Sequence, residues 1–357
     1  AAFCMTLFVI STVYGTYQFT KTRTPTKTIN AVFVQQDADS WAENPHLIIQ
    51  KIINLSQQGL EEAQAQGIKI DTVILSESVL PYRLPEDCGY YKHTPKNLSL
   101  VEFISASNIP FILGCPRTLN NEKKQICNAV TLFDQNFINQ EGITDNWYGK
   151  IHLVPFAEEI PYADKAWMQS LMNTLVGFSS SWAPGPTYTL FHLPIINNGD
   201  SNSTVAFTTP ICFEDAFSDL CRTLWKQGSE VFINLTNDSW SNTNSAEYQH
   251  FVIASFRAIE MRTTLARSTN AGYSAIVDPA GKIIDDMPLF KAMAKPMTIP
   301  IYKRQLTTYC LLGDWLPLVL FILFCMISFF LLKTSKITIV SERTILLEED
   351  SDQNILT

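Results

Sequence analysis

Charged side chains are scarce in this chain of 357 residues: Asp, Glu, Lys and Arg make up 17% of it, against a hydrophobic share of 46%. A soluble domain ordinarily carries about 25% charge, so the balance leans towards a membrane-associated protein. The basic residues form no block or stripe and the net charge is −8; nucleic acid is therefore not expected as a partner. The chain has only five histidines. It has no CxxC pair, Cys/His ladder or HExxH helix, and so no metal centre is expected. Missing as well are a P-loop and a GxSxG elbow, which sets aside the usual nucleotide-binding and serine-hydrolase signatures. Eight cysteines spread over this length do not suggest a disulfide framework, although a single bridge such as Cys88 to Cys127 stays open. There is no internal repeat and no low-complexity linker.

Two long apolar stretches stand out. Residues 315–332 (WLPLVLFILFCMISFFLL) carry no charge and would make a helix of about 27 Å, enough for a hydrocarbon core. Trp315 suits one interface and Lys333 the other, so 314–333 is expected to be a transmembrane helix. Residues 1–20 are also uncharged but lack a basic leader and a small-residue cleavage site. They are expected to form the end of a membrane helix, with further helices ahead of it in a longer protein. Residues 334–357 read as a polar, acidic tail.

Between these segments, over 28–305, short β-branched runs alternate with amphipathic stretches. Strands are expected at 29–34, 72–76, 110–114, 129–133, 204–208, 231–234 and 274–278. Helical periodicity covers 46–66, where Ile48, Ile49, Ile52, Ile53 and Leu60 share a face, and again 246–265. The run NNGDSNS at 197–203 reads as a surface turn. Strands alternating with helices predict a layered α/β domain with its active groups at strand ends.

Three positions fit that last expectation. Glu77 in VILSESVLP ends an apolar strand; Lys150 in WYGKIHLVPFAEEIPY is a lone cation among apolar and aromatic neighbours; Cys212 in VAFTTPICFEDAFSD follows a strand and precedes two acids. Taken singly, each has an ordinary reading: a surface carboxylate, a snorkelling lysine and an inert small hydrophobe. Taken together they make a chemical set. A carboxylate can take the thiol proton, an ammonium favours the thiolate and stabilises an oxyanion, and the thiol attacks a carbonyl. The outcome is acyl transfer through a thioester. A Cys–His pair using His152 or His250 is the alternative, without the same strand-end logic.

These stretches resemble the carbon–nitrogen hydrolase (nitrilase) superfamily and, within it, the apolipoprotein N-acyltransferases. The likeness runs from about residue 29 to 333, and its most specific part is YGKIHLVPFAE, with ICFE and the run NLTNDSW…QH…RAIEMR…RSTNAGY beside it. The resemblance implies a nitrilase-like α-β-β-α sandwich flanked by transmembrane helices. It places a general base on Glu77, an oxyanion-stabilising cation on Lys150, a nucleophile on Cys212, supporting acids on Glu158 and Glu214, and a substrate-facing loop around Trp240. Ser76 and Ala157 replace the family's usual Pro and Gly. Ser241-Asn242 stands for a Phe-Gly after Trp240, and Ala246-Glu247 for a Gly-Pro before the Gln-His pair.

What the resemblance implies for chemistry is a ping-pong reaction without metal or organic cofactor. A phospholipid acyl donor would acylate Cys212, and the α-amine of a diacylglyceryl lipoprotein would accept the chain. The setting would be the bacterial inner (plasma) membrane, with a multi-pass full protein whose catalytic domain faces the periplasm. The same three residues would equally serve a membrane-tethered amidase, and a non-catalytic scaffold would keep only the fold.

Overall fold

The computed structural model describes residues 2–38, 43–120, 122, 125–139, 144–159, 162, 165–175, 182–195 and 203–333. The expected turn at 197–203 lies outside these residues except for Ser203, and the polar tail at 334–357 lies outside them entirely. The chain forms two compact units, Ala1–Cys310 and Leu311–Thr357.

The first unit is built on two six-stranded sheets. In one, β1 (Lys27–Gln35), β2 (Thr72–Ile74) and β3 (Phe111–Asn120) run parallel. Two antiparallel strands extend it from β3, β4 (Gln125–Phe133) and β5 (Trp147–Gly149), and β12 (Met293–Ile301) pairs antiparallel with β1. The other sheet repeats the plan: β7 (Thr204–Thr208), β8 (Val231–Thr236) and β9 (Thr264–Thr269) are parallel. Here β6 (Phe191–Pro194) lies antiparallel to β7, while β10 (Ala275–Val277) and β11 (Ile283–Asp286) continue antiparallel from β9.

Alternation along β1 shows how the layers form. Ile29, Ala31 and Phe33 join a core shared with Phe232, Leu265 and Ile299, between the sheets. Val32 and Val34 point the other way, into a second core with Ile48, Ile49, Ile52 and Ile53. Those isoleucines belong to α2 (Pro45–Ala65), which begins on an Asn44 cap with Pro45 in its first turn. Burying each one stabilises the layer by about 1.5–3 kcal/mol. The same outer layer holds α3 (Cys88–His93) and α4 (Leu100–Ser107), the latter closed by a Ser99/Glu102 capping box. Short helices α5 (Gln135–Asn139) and α6 (Ala166–Leu175) follow β4 and β5. On the second sheet, α7 (Ser218–Lys226) and α8 (Asn244–Met261) contribute Leu220, Leu224, Ala254 and Ala258 to the core. Helices outside and sheets inside give an α-β-β-α sandwich.

Helix α1 (Ala2–Thr20) precedes the sandwich, and α9 (Thr308–Leu312) follows it. Among the described residues one helix is long and apolar enough to cross a membrane, α10 (Trp315–Lys333), with a mean hydropathy of 2.7 and no part of it buried. All eight cysteines are free, Cys88 and Cys127 included; the bridge left open by the sequence is not formed. Helix α8 also stops earlier than its periodicity suggests. Arg262 adopts the left-handed conformation after Met261, and Thr264–Thr269 departs as a strand.

Candidate active site

The carboxyl ends of the parallel strands from both sheets converge on one place, and each polar group there is held by a local device. Beyond β2, Leu75 N still donates to Ile112 O at 2.9 Å, and then the chain turns through Ser76, Glu77 and Ser78, the last with φ of 50°. This turn presses on β3. A Cβ on Gly114 would sit 2.4 Å from Ser78 N and 2.6 Å from Glu77 Cα, so only a glycine lets the backbones approach. Gly114→Ala is expected to destabilise the domain by about 1–3 kcal/mol and displace Glu77; chemical denaturation gives the first and residual activity the second. Unchanged stability would mean that the turn is free to move.

Lys150 lies just past β5, whose Gly149 pairs with Ala129, and its N–H donates to Asn128 O at 2.8 Å. Its fully buried Nζ donates to Glu158 Oε1 at 2.8 Å and to Glu77 Oε1 at 3.3 Å. Asn128 Nδ2 reinforces the pair, donating to Glu77 Oε1 at 2.6 Å and to Glu158 Oε1 at 3.5 Å. Glu158 is positioned by a tight turn in which Phe156 has φ of 65° and Val154 N donates to Glu158 Oε2 at 2.9 Å.

Cys212 opens a 3₁₀ turn (Cys212–Ala216) directly after the β7 extension, with φ of 49° and 8% exposure. A left-handed cysteine costs of order 1–3 kcal/mol and persists only where its surroundings fix it. Here Glu214 does much of the fixing: Ile211 N donates to its Oε2 at 2.7 Å, Ile151 N and His152 N to its Oε1 at 2.7 and 3.0 Å, and Tyr148 Oη to both oxygens. One carboxylate thus ties the Lys150 segment to the Cys212 turn. Burial pushes its pKa up to about 7, against the pull of those N–H donors and of Lys150. Asn234 Nδ2 adds bonds to the carbonyls of Pro210 and Cys212 at 2.9 and 3.3 Å.

The Cys212 thiol interacts electrostatically with both Glu77 and Lys150. Burial raises the pKa of Glu77, with Lys150 opposing, and burial followed by the Glu77 charge holds the Cys212 thiol well above its usual range. Burial works against the Lys150 ammonium, but Glu77, Cys212 and Glu158 outweigh it and keep the lysine charged. A carboxylate with a raised pKa beside a protonated thiol is suited to exchange its proton. The lysine has three N–H donors, and two are directed at carboxylates.

After β8 the chain turns over this group. Asn237 N donates to Glu77 Oε2 at 2.7 Å, and Trp240, a few residues on, is 80% exposed. Beneath it lies a largely buried quartet, Arg267, Asp215, Asp238 and His250, of which sequence reasoning considered only His250, as a partner for a cysteine. Arg267, with no exposure, donates from Nη1 to Asp215 Oδ2 at 2.5 Å and from Nη2 to Asp238 Oδ2 at 2.7 Å. Both ring nitrogens of His250 go to these aspartates, which answers the Cys–His alternative for that residue. His152 instead meets Phe217 edge-on at 4.7 Å. A charged residue in the middle of an otherwise buried strand, as in TLARST, was the available signal for Arg267. Asn128 inside CNAVTLF was a similar one.

A buried lysine between two carboxylates, with the Cys212 turn beside it, stands at the strand ends of an α-β-β-α sandwich. The chain belongs to the carbon-nitrogen hydrolase family, whose model matches residues 31–294; its fold is the nitrilase fold. It is 43% identical over 320 residues to Apolipoprotein N-acyltransferase 2 of Treponema denticola, covering 89% of this chain and 58% of that one. With Apolipoprotein N-acyltransferase 2 of Treponema pallidum the identity is 37% over 345 residues, covering 91% and 59%. With Apolipoprotein N-acyltransferase of Borreliella burgdorferi it is 31% over 294 residues, covering 80% and 51%. The chain therefore spans between half and three-fifths of the length of these relatives.

Proposed function

We propose that this chain carries the catalytic domain of an apolipoprotein N-acyltransferase acting through Glu77, Lys150 and Cys212. What supports the reading is the buried Lys150–Glu77 ion pair at 3.3 Å, with the buried Cys212 electrostatically linked to both, in a chain whose similar relatives bear that name. Glu77 takes the thiol proton as Sγ attacks the ester carbonyl of a phospholipid. The charge that develops on the carbonyl oxygen meets the Lys150 ammonium, in a site shielded enough for that interaction to count. The C–O bond then breaks, and the proton on Glu77 goes to the departing lysophospholipid hydroxyl. In the second half the α-amine of a diacylglyceryl lipoprotein attacks the thioester and the C–S bond breaks. Glu77 accepts the amine proton and returns it to sulfur.

Glu158 orients Lys150, and Glu214 holds the Cys212 turn against the Lys150 segment. Trp240, exposed on the loop that caps Glu77, meets the lipid substrates. Residues 1–20 and α10 are both membrane segments in this reading, flanking the catalytic domain at 28–305. The full protein is multi-pass in the bacterial inner membrane, and the domain faces the periplasm. Confinement to a bilayer brings donor and acceptor, both lipids, to one active site.

Incubating the full-length protein with phospholipid vesicles is expected to add one fatty acyl group to Cys212, labile to hydroxylamine and absent from Cys212→Ala. Intact-mass spectrometry reads the adduct. Turnover of small amides without any acyl-enzyme would replace this reading with a membrane-tethered amidase.

A further inference from the structure

The buried quartet under the Trp240 loop has no part in the steps above, yet it joins the two segments on which they depend. Asp215 belongs to the 3₁₀ turn that begins at Cys212, and Asp238 belongs to the loop that caps Glu77 through Asn237 N. Neither aspartate bonds the other; two cations stand between them. Arg267, from β9, bridges Asp215 and Asp238 with separate nitrogens at 2.5 and 2.7 Å. His250, from α8, bridges the same two residues, Nε2 to Asp215 Oδ1 and Nδ1 to Asp238, each at 3.0 Å. Arg267, His250 and the two aspartates thus close a ring.

From this arrangement we infer that His250 is a positioning residue, which with Arg267 clamps the nucleophile turn to the Asn237–Trp240 loop. A carboxylate lies at each ring nitrogen, an arrangement that favours the doubly protonated imidazolium, although Arg267 Nη2 also approaches Nδ1 at 3.1 Å. Burial and the neighbouring Arg267 charge work against protonation, but Asp215 and Asp238 prevail and bring the pKa up to about 9. The other groups that bear on the ring are Glu247, on the same helix beside Asp238 and bonded to Ser241, and the Phe213 ring at 6.0 Å. Burial and the Asp238 charge push Glu247 up to about 7.

The sign of the pH dependence follows. A histidine whose folded pKa lies above the unfolded 6.5 contributes its stabilisation fully below pH 6.5, and the contribution is lost as pH rises through about 9. Arg267 stays charged throughout, so the clamp is halved rather than dissolved. Both aspartates keep their Arg267 bond, but the loop around Asp238 should loosen more than the turn, which Glu214 also holds. That loosening reaches Glu77 through the Asn237 N–H and reaches the substrate surface through Trp240.

The inference rests on the proposed site but is tested without any acyl substrate, so its failure and a failure to find acyl transfer are separate results. The experiment uses the full-length protein and its His250→Gln and Asp238→Asn variants. The second keeps the Arg267–Asp215 bridge and guards against a variant that simply fails to fold. Hydrogen exchange of the segment 236–243 at pH 7 is expected to quicken at least fivefold in both variants, with core strands β1 and β8 unchanged. Cys212 alkylation by iodoacetamide, followed from pH 7 to 10, is expected to show a break near 9 in the parent protein that His250→Gln removes. Unchanged exchange in 236–243 together with a retained break would overturn the inference. Loosening spread evenly over the core would do so too, because the quartet would then be ordinary structural support.

Discussion

Glu77→Gln is expected to slow acylation of the enzyme by about 10³-fold or more while leaving the fold in place. The amide is isosteric with the carboxylate. It keeps an oxygen to accept from Lys150 Nζ, and its charge is not the only counterion there, since Glu158 lies closer to the same nitrogen, 2.8 Å against 3.3 Å. What the amide loses is the ability to take a proton. General-base assistance is ordinarily worth 10²–10⁴-fold, and here burial holds the Cys212 thiol well above its usual pKa, so an unassisted thiolate is rare at neutral pH. The parent enzyme should also lose activity on the acid side, because a protonated Glu77 has no room for another proton. Burial raises the Glu77 pKa, so that limb lies above the ordinary carboxylate range. Single-turnover acylation across pH measures both effects. A variant within tenfold of the parent, with the acid limb intact, would remove Glu77 from the base role.

Much of this architecture is legible from residue pattern, and the exceptions have physical causes. The inner strands of both sheets are apolar on both faces, so β1, β7 and β8 appear in the sequence as continuous β-branched runs. Helix α2 shows its buried face as isoleucines at helical spacing. The strands that escaped notice are short or chemically mixed: Trp147–Gly149, Phe191–Pro194 and Ile283–Asp286 have three, four and four residues, and Met293–Ile301 carries Lys295 and two prolines. Thr264–Thr269 carries Leu, Ala and Arg, which suit a helix equally well, and no glycine marks the break at Arg262. Glu77 and Cys212 drew attention because each follows an apolar strand, and Lys150 because it is a lone cation among apolar and aromatic neighbours. Their supporting groups did not, because support is a matter of distance in space. Asn128 is 51 residues from Glu77 in sequence yet bonds it at 2.6 Å. Arg267 is similarly 52 residues from Asp215.

Lys150→Met separates what the central cation does for the fold from what it does for chemistry. Methionine fills a similar volume, but it strands Glu77 and Glu158 together in a site from which water is largely excluded. Among the described residues, Asn128 and the main-chain donors of Val154 and Asn237 remain to them. Removing one partner from a buried ion pair ordinarily costs about 3–5 kcal/mol, because the other charge is left uncompensated. The two carboxylates also repel, so at least one is expected to take up a proton near neutral pH. Adding Glu77→Gln and Glu158→Gln to Lys150→Met removes the stranded charges and should restore most of that stability, as replacing a whole buried ionic group often does. Catalysis should not return in either protein, since both lack the cation proposed to meet the oxyanion and the triple variant lacks the proposed base as well. Denaturant unfolding of the three proteins, parent, single and triple, measures the stability side. Phospholipid-dependent acylation of Cys212 measures the other. If Lys150→Met unfolds at the parent's midpoint, the carboxylates were not held charged by the lysine. The ammonium would then be a poor candidate for stabilising a transient negative charge, and the proposed mechanism would lose its electrostatic basis.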